Sequence, residues 1–352
     1  VDPVHTPHYL EVSEPSDVLT LLADQWRIDA ALGVELVSGV VQVSSSCTVV
    51  LRRGAGGPAV VAVLDGYVDA LFGIAVDIGS TTIVAHLLDL GSGEALASAG
   101  AMNPQIRFGE DLVSRVSYVM MHPGGDQELT AAVRAALRHL FEELVADAAL
   151  DDERLIVDVV LVGNSVMHHL VLGIDPTPLG QAPFPLAIDG AVQRSAGELG
   201  LGLSSAVVYV APCIAGHVGA DTAAAVLAEG PHRSSSIQLL VDVGTNAEIV
   251  LGNDEQLFAA SSPTGPAFEG AQISGGQRAT AGAIERVEID RATLEPRLRV
   301  IGTDRWSDEP EFDRENRAGV TGICGSGIIE VLSEMVSAGI IDTQGVIRGD
   351  LD

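Results

Sequence analysis

The chain has 352 residues, 47% of them hydrophobic and 19% charged, a balance that describes a folded protein of two or three domains and excludes a disordered one. Acidic residues number 48 against 19 basic ones, and every basic residue is arginine, so the net charge is −29 and a phosphate site built on a lysine of this chain, such as a P-loop, is excluded. That charge repels nucleic acid and anionic membrane, and three dispersed cysteines, Cys47, Cys213 and Cys324, lack the spacing of a zinc site, a disulfide framework or an iron–sulfur cluster.

In chain order, residues 1–70 predict a small α+β domain. An extended, proline-punctuated start is followed by a short helix in "DVLTLLADQWRI" and by two alternating strands around the glycine-rich turn at Gly54 to Gly57. The extended start leads us to expect further residues upstream. From Phe72 the pattern sharpens: "FGIAVDIG" predicts a buried strand, "STTIVAHLLDL" its return and "EALASAGA" a third strand. After a loop rich in Asn, Arg and Gly, Leu129, Val133, Leu137, Phe141 and Leu144 recur with the one-faced spacing of a helix. "LIVDVVLVGN" predicts the next strand, "SVMHHLVLG" a short helix, and the stretch from Pro176 to Pro185 a rigid excursion. The second half then repeats the opening. "IQLLVDVG", "TNAEIVLG" and "EQLFAASSPTG" predict strand, return and third strand, and aligning Asp77 on Asp242 superimposes "VDIGSTTIV" on "VDVGTNAEIV". No apolar run is long enough to span a bilayer and no signal peptide is visible, so a cytoplasmic protein with no nucleic-acid or membrane partner is expected.

The repeated unit has the chemistry of a phosphate loop. An aspartate at the end of a buried strand projects from a fixed edge, glycine permits a tight turn, and small hydroxyl residues offer N–H and O–H donors to an anion. The first copy supplies Asp77, Gly79, Ser80, Thr81 and Thr82; the second supplies Asp242, Gly244, Thr245 and Asn246. One copy alone is equally a β-hairpin with an Asx-type turn. Two copies in a repeated topology point to nucleotide, with the loops gripping the phosphates from both sides and Asp77 and Asp242 holding Mg, partly through water. A third element, "TGICGSGIIEVLSEMVSAGIID", sets Gly322, Gly325, Ser326 and Gly327 at a turn into a helix, where either an adenosine lies against the backbone or the glycines serve packing and capping.

These motifs, together with "NPQIRFGEDLVSRV", "LVGNSVMHHLVLGIDPTPLGQAPF", "APCIAGHVGADTAAAVLAEG" and "SSPTGPAFEGAQISGG", resemble the superfamily of sugar and acetate kinases, heat-shock chaperones and actin, and within it the reductive activators of corrinoid proteins. The resemblance covers residues 72–342 and implies a duplicated ribonuclease H-like ATPase core of α/β class, with halves at 71–235 and 236–352, the second truncated, and residues 1–70 as the family's middle domain. It implies ATP and Mg as cofactors, a corrinoid protein of a methyl-transfer system as partner, and a homodimer. The implied activity is ATP-dependent reduction of cob(II)amide to cob(I)amide, with the electron from a 2Fe-2S cluster on an amino-terminal ferredoxin-like domain outside this sequence. Carried over by motif, Asp77, Ser80, Thr81 and Thr82 form the first phosphate loop and Asp242, Thr245 and Asn246 the second. Gly322, Gly325, Ser326 and Gly327 form the adenosine side, and Asn164 lines the hinge.

Several residues keep two readings. Arg107 either neutralises charge near the nucleotide or fixes its loop by an ion pair with Glu110 or Asp111, and Arg115 could do the same from the start of a helix. His168 and His169, about 100° apart on a helix, cannot face one site, so a core or interface histidine is expected. His217 stands beside a helix start near Asp221. Glu248 either positions water or Mg as a catalytic carboxylate or faces solvent, and Glu269 lies in a glycine-rich loop suited to nucleotide or to partner docking. A small-molecule kinase of the same superfamily and a nucleotide-binding scaffold without turnover are the alternatives.

Overall fold

The computed structural model describes residues 5–11, 46–54, 57–204, 206–244, 246–264, 273–342 and 344–348. The expected helix at 17–28, Thr245 and Glu269 lie outside the described residues. The chain divides into two compact units, Val1–Leu240 with Val250–Ala260, and Val241–Ile249 with Ser261–Asp352.

In the first unit, β1 (His5–Glu11), β2 (Ser46–Gly54) and β3 (Gly57–Asp65) form an antiparallel meander; the alternating pattern predicts β2 and β3, and the extended start supplies β1. The Thr48 hydroxyl donates to Gly66 O and accepts from Val68 N, which pins the exit of this sheet. Val50, Ala62 and Leu64 then pack with Leu71 and Val157, so the meander is seated on the base of the larger sheet.

That larger sheet contains β4 (Phe72–Ile78), β5 (Thr82–Asp89), β6 (Ala95–Met102), β7 (Ile156–Gly163), β8 (Val192–Ser195) and β9 (Val207–Val210), in the order β6-β5-β4-β7-β9-β8. The β4–β5–β6 meander is antiparallel, β7 joins β4 in parallel, β9 joins β7 in parallel and β8 closes the edge antiparallel. Central β4 and β7 bury one face in the main core, through Ile74, Val76, Ile78, Val159 and Leu161, and leave the other partly open. The parallel connections demand crossovers, and helices supply them. α1 (Leu112–Met121) and α2 (Gly125–Asp147) lie between β6 and β7, α3 (Ser165–Leu172) follows β7, and α4 (Ala220–Glu229) follows β9. The five apolar residues picked out by their spacing on α2 are all buried in the main core with Ile74, Val76, Ile78, Ile83 and Leu161. After β6, where the sequence pattern gives a loop with Arg115 at the start of a helix, a 3₁₀ turn at Pro104–Phe108 and then α1, which carries Arg115, are formed, with the Asp111 carboxylate accepting from Ser114 N at 2.7 Å as the cap.

The repeated strands β10 (Gln238–Val243), β11 (Asn246–Gly252) and β12 (Leu257–Pro263) form a three-stranded sheet in that order. The two copies differ in burial. Val76 and Ile78 are 2% and 1% exposed, whereas their counterparts Val241 and Val243 are 44% and 56% exposed. β4 has a strand on either side, while β10 is an edge strand among the described residues, so the expected buried second strand is open.

In the second unit, β13 (Ala283–Ile289) pairs antiparallel with β14 (Pro296–Val300) and parallel with the short β15 (Gly322–Ile323), and α5 (Gly325–Ser337) packs on β13. Where β15 ends, α5 takes over the edge of β13: Glu330 accepts from Val287 N at 2.8 Å and Glu334 from Ile289 N at 3.1 Å. An otherwise open strand edge is thus satisfied by side chains of the helix that covers it.

Candidate nucleotide site

The first aspartate–glycine loop stands at the carboxyl end of β4. Asp77 is exposed at the end of a strand whose neighbours Val76 and Ile78 are core, because alternation along β4 sends it to the open face. Gly79 is fixed by sterics: a Cβ there would lie 2.6 Å from Thr82 O, so no other residue closes this hairpin without displacement. The turn carries Ser80 and Thr81 into β5, which starts at Thr82.

Two further elements reach the same place. Asn164 ends the β7 connection and caps α3, accepting from Met167 N at 3.0 Å through Oδ1 while its Nδ2 donates to Ser80 Oγ at 3.2 Å. Parallel pairing of β4 with β7 brings Ile78 beside Gly163, one residue before Asn164. Gly219, at the start of α4, comes so close that a Cβ would lie 2.5 Å from Asn164 Cα and 2.6 Å from Gly163 O. The helix is capped at Gly219, two residues before Asp221, which sits inside the first turn and accepts from Thr222 N at 2.7 Å. The sequence reading missed Gly219; the glycine before a helix start was its available signal.

Beneath the loop lies a group of buried polar side chains. Asn103 donates to Gly79 O at 2.8 Å, and Arg115, which is 0% exposed, donates to Ser80 O, to Gly109 O at 2.9 Å and to Gln105 Oε1 at 3.2 Å. Gln105 in turn donates to Leu129 O at 2.8 Å. Arg115 therefore holds the loop from behind and does not reach toward solvent. Arg107 does not take the loop-fixing reading: its guanidinium lies over the Phe108 ring, 4.6 Å from the centroid, and among the described residues it forms no ion pair with Glu110 or Asp111, whose carboxylate is engaged in capping α1.

His168 and His169 are both buried. His169 accepts from Ala187 N at 3.1 Å through Nε2, so Nδ1 carries the proton and donates to Ser165 O at 2.8 Å. His217 sets its ring edge-on to Phe184, with centroids 4.3 Å apart.

In the second loop, Asp242 is exposed, Gly244 N donates to Asn246 O at 2.8 Å, and Thr264 Oγ1 donates to Gly244 O at 2.6 Å. Glu248 is half-buried and accepts from Ser261 Oγ at 3.0 Å across to β12, so it is tied into the sheet rather than standing free in solvent. At the glycine-rich turn, Gly322 and Gly327 have packing reasons: a Cβ on Gly322 would press on Gln277, and one on Gly327 would overlap the Ile284 carbonyl of β13. Gly325 is buried and Ser326 is exposed, its hydroxyl 3.1 Å from the Cys324 sulfur that precedes α5. Close packing thus accounts for two of the three glycines, Gly322 against the 275–277 loop and Gly327 where α5 meets β13.

A meander of three antiparallel strands extended by two parallel ones, with an aspartate–glycine hairpin at the end of the first strand, defines the actin/sugar-kinase-like, or ASKHA, class of fold. Residues 72–234 match the family described as the RACo middle region, and residues 236–352 the C-terminal domain of RACo, the ASKHA domain. The corrinoid activation enzyme RamQ of Eubacterium limosum is 34% identical over 282 residues, 80% of this chain and 44% of that protein. The "[Co(II) methylated amine-specific corrinoid protein] reductase" of Methanosarcina barkeri is 25% identical over 292 residues, 77% of this chain and 52% of that one. Among solved structures, a "reductive activator for corrinoid,iron-sulfur protein" matches with a TM-score of 0.78 and 32% identity over 99% of this chain and 55% of its own. The chain belongs to the RACo/RamQ-like family of reductive corrinoid activators, and it spans about half the length of these relatives. Among the described residues no helix is long and apolar enough to cross a membrane.

Proposed function

We propose that this chain is the ATP-handling part of a reductive activator that returns a corrinoid protein from cob(II)amide to cob(I)amide. The observation that carries this reading is the convergence of the Asp77 hairpin, the Asn164 cap and the start of α4 at the carboxyl end of β4, in a chain of this family. Ser80, Thr81 and Thr82 supply donors to the phosphates, Gly79 lets the hairpin close, and Asn164 orients the Ser80 hydroxyl. Gly244, Thr245 and Asn246 form the second phosphate loop, Asp77 and Asp242 are the Mg carboxylates, and Gly322, Gly325, Ser326 and Gly327 take the adenosine side. Mg supplies charge neutralisation at the phosphates and keeps several of its waters. Glu248, which accepts from Ser261, acts as the carboxylate that orients water. Hydrolysis passes the terminal phosphoryl group to water, and the single electron that converts cob(II)amide to cob(I)amide comes from a 2Fe-2S donor. A corrinoid protein is the partner and a homodimer the working state.

The reading is tested by calorimetric titration of the chain with Mg and a non-hydrolysable ATP analogue, beside Asp77→Ala and Asp242→Ala. Saturable binding that both substitutions abolish supports it. An unmutated chain that binds no nucleotide, or variants that bind as well as it does, would overturn it.

A further inference from the structure

Three consecutive carbonyls of the first loop are held from one side. Asn103 Nδ2 donates to Gly79 O at 2.8 Å, Arg115 Nη2 donates to Ser80 O, and Asn103 N donates to Thr81 O at 2.8 Å. These peptides are trans, since among the described residues the one cis bond is Ala182–Pro183. In a planar trans peptide the N–H points opposite to the C=O, so the N–H groups of Ser80, Thr81 and Thr82 are turned away from the segment 103–115.

Arg115 is an unusual anchor for this purpose. It is 0% exposed, and its partners are neutral: Gly109 O, Gln105 Oε1, Ser80 O and, at 3.3 Å, Met167 Sδ. Among the described residues it makes no ion pair with a carboxylate. Burial pushes its guanidinium pKa down to about 10, opposed by Asp111, so it stays charged at neutral pH. A buried cation without a directly paired carboxylate is costly, and a neutral amide donor would serve a purely structural anchor of these carbonyls at less cost.

We propose that Arg115 is a positioning residue for phosphate: it fixes the Ser80–Thr81 peptide with its N–H toward the ligand and places behind the loop a buried positive charge that bound phosphate neutralises. The inference rests on the nucleotide reading above. It gives a chain without lysine a cation at the phosphates that never touches them.

Gln105→Glu adds charge at nearly constant shape, because it puts a carboxylate where the neutral acceptor of Arg115 Nη1 now stands and leaves the guanidinium in place; the bond it loses, to Leu129 O, is common to Gln105→Met, which serves as its neutral control. Titration of the full chain with the Mg-bound ATP analogue should show affinity weakened roughly tenfold, the scale of a unit charge at an effective dielectric near 20, with binding of adenosine unchanged. A folded Gln105→Glu chain that binds the analogue within a factor of about two of the unmutated one would overturn the proposal. Should that variant not fold, as read by far-UV circular dichroism, Arg115→Lys and Arg115→Met replace it. The charge-keeping lysine should then bind the analogue more tightly than methionine, and equality would overturn the proposal. If the unmutated chain binds no nucleotide, the nucleotide reading itself fails and takes this inference with it; the two failures are distinguished by the unmutated titration.

Discussion

Replacing His168 by leucine should flatten the acid side of the stability profile. His168 is 2% exposed on α3, and neither of its ring nitrogens has a hydrogen-bond partner among the described residues. Burial first, and the neighbouring His169 second, push its pKa down from 6.5 to about 4. The unfolded chain therefore binds a proton at this position between pH 6.5 and about 4 that the folded chain does not, and stability falls as the pH falls through that window. Above the window both states are neutral and His168 contributes no slope; below it both are protonated and the loss is complete. At about 1.4 kcal/mol for each pKa unit the loss amounts to roughly 3 kcal/mol. Leucine removes the titration and breaks no hydrogen bond, so at pH near 7.5 the variant should match the parent or exceed it. Urea denaturation followed by far-UV circular dichroism, in steps from about pH 7.5 to about 4.5, measures both profiles. The difference between them should grow on acidification at about 1.4 kcal/mol per pH unit, with the contributions of His169 and the carboxylates common to both chains. Parallel profiles would refute the reasoning.

Two other measurements test separate parts of the fold. Glu330→Ala removes the acceptor of Val287 N on β13 and should cost about 1–3 kcal/mol, whereas Glu330→Gln keeps an acceptor oxygen and loses only a solvent-screened pair with Arg286, so its loss should be the smaller. Thermal melts of the two variants should separate in that order, and equal losses would show that the ion pair rather than the edge contact matters. The three cysteines are buried, with burial and then Asp221 raising Cys213 to about 12 and burial and then Asp65 raising Cys47. A thiol reagent should find none of them in the native chain and all of them in urea; prompt labelling without denaturant would contradict their placement.

The polar network behind the first loop shows where sequence reasoning stops. Arg107 and Arg115 lie in one short motif, and both are arginines near a glycine-rich loop. Only packing tells them apart. α1 turns Arg115 into the core beneath Ser80, while Arg107 remains on the 3₁₀ turn against Phe108. Gly327 carries the same lesson: its motif suits a nucleotide, yet the Ile284 carbonyl beside it gives a packing reason that no local pattern reveals.

Local pattern along the chain is enough to specify the repeated strand–loop–strand unit, the buried face of α2, the ends of β4 and β7 and the identity of the loop residues. Periods of two and 3.6 residues and turn chemistry carry that information, and both act over a few neighbours in sequence. The support behind the loop is settled by long-range packing instead. Asn103 reaches Gly79 across 24 residues, Arg115 reaches Ser80 across 35 and Asn164 reaches Ser80 across 84, and contacts that long in sequence exist only once the strand order β5-β4-β7 has placed those segments side by side.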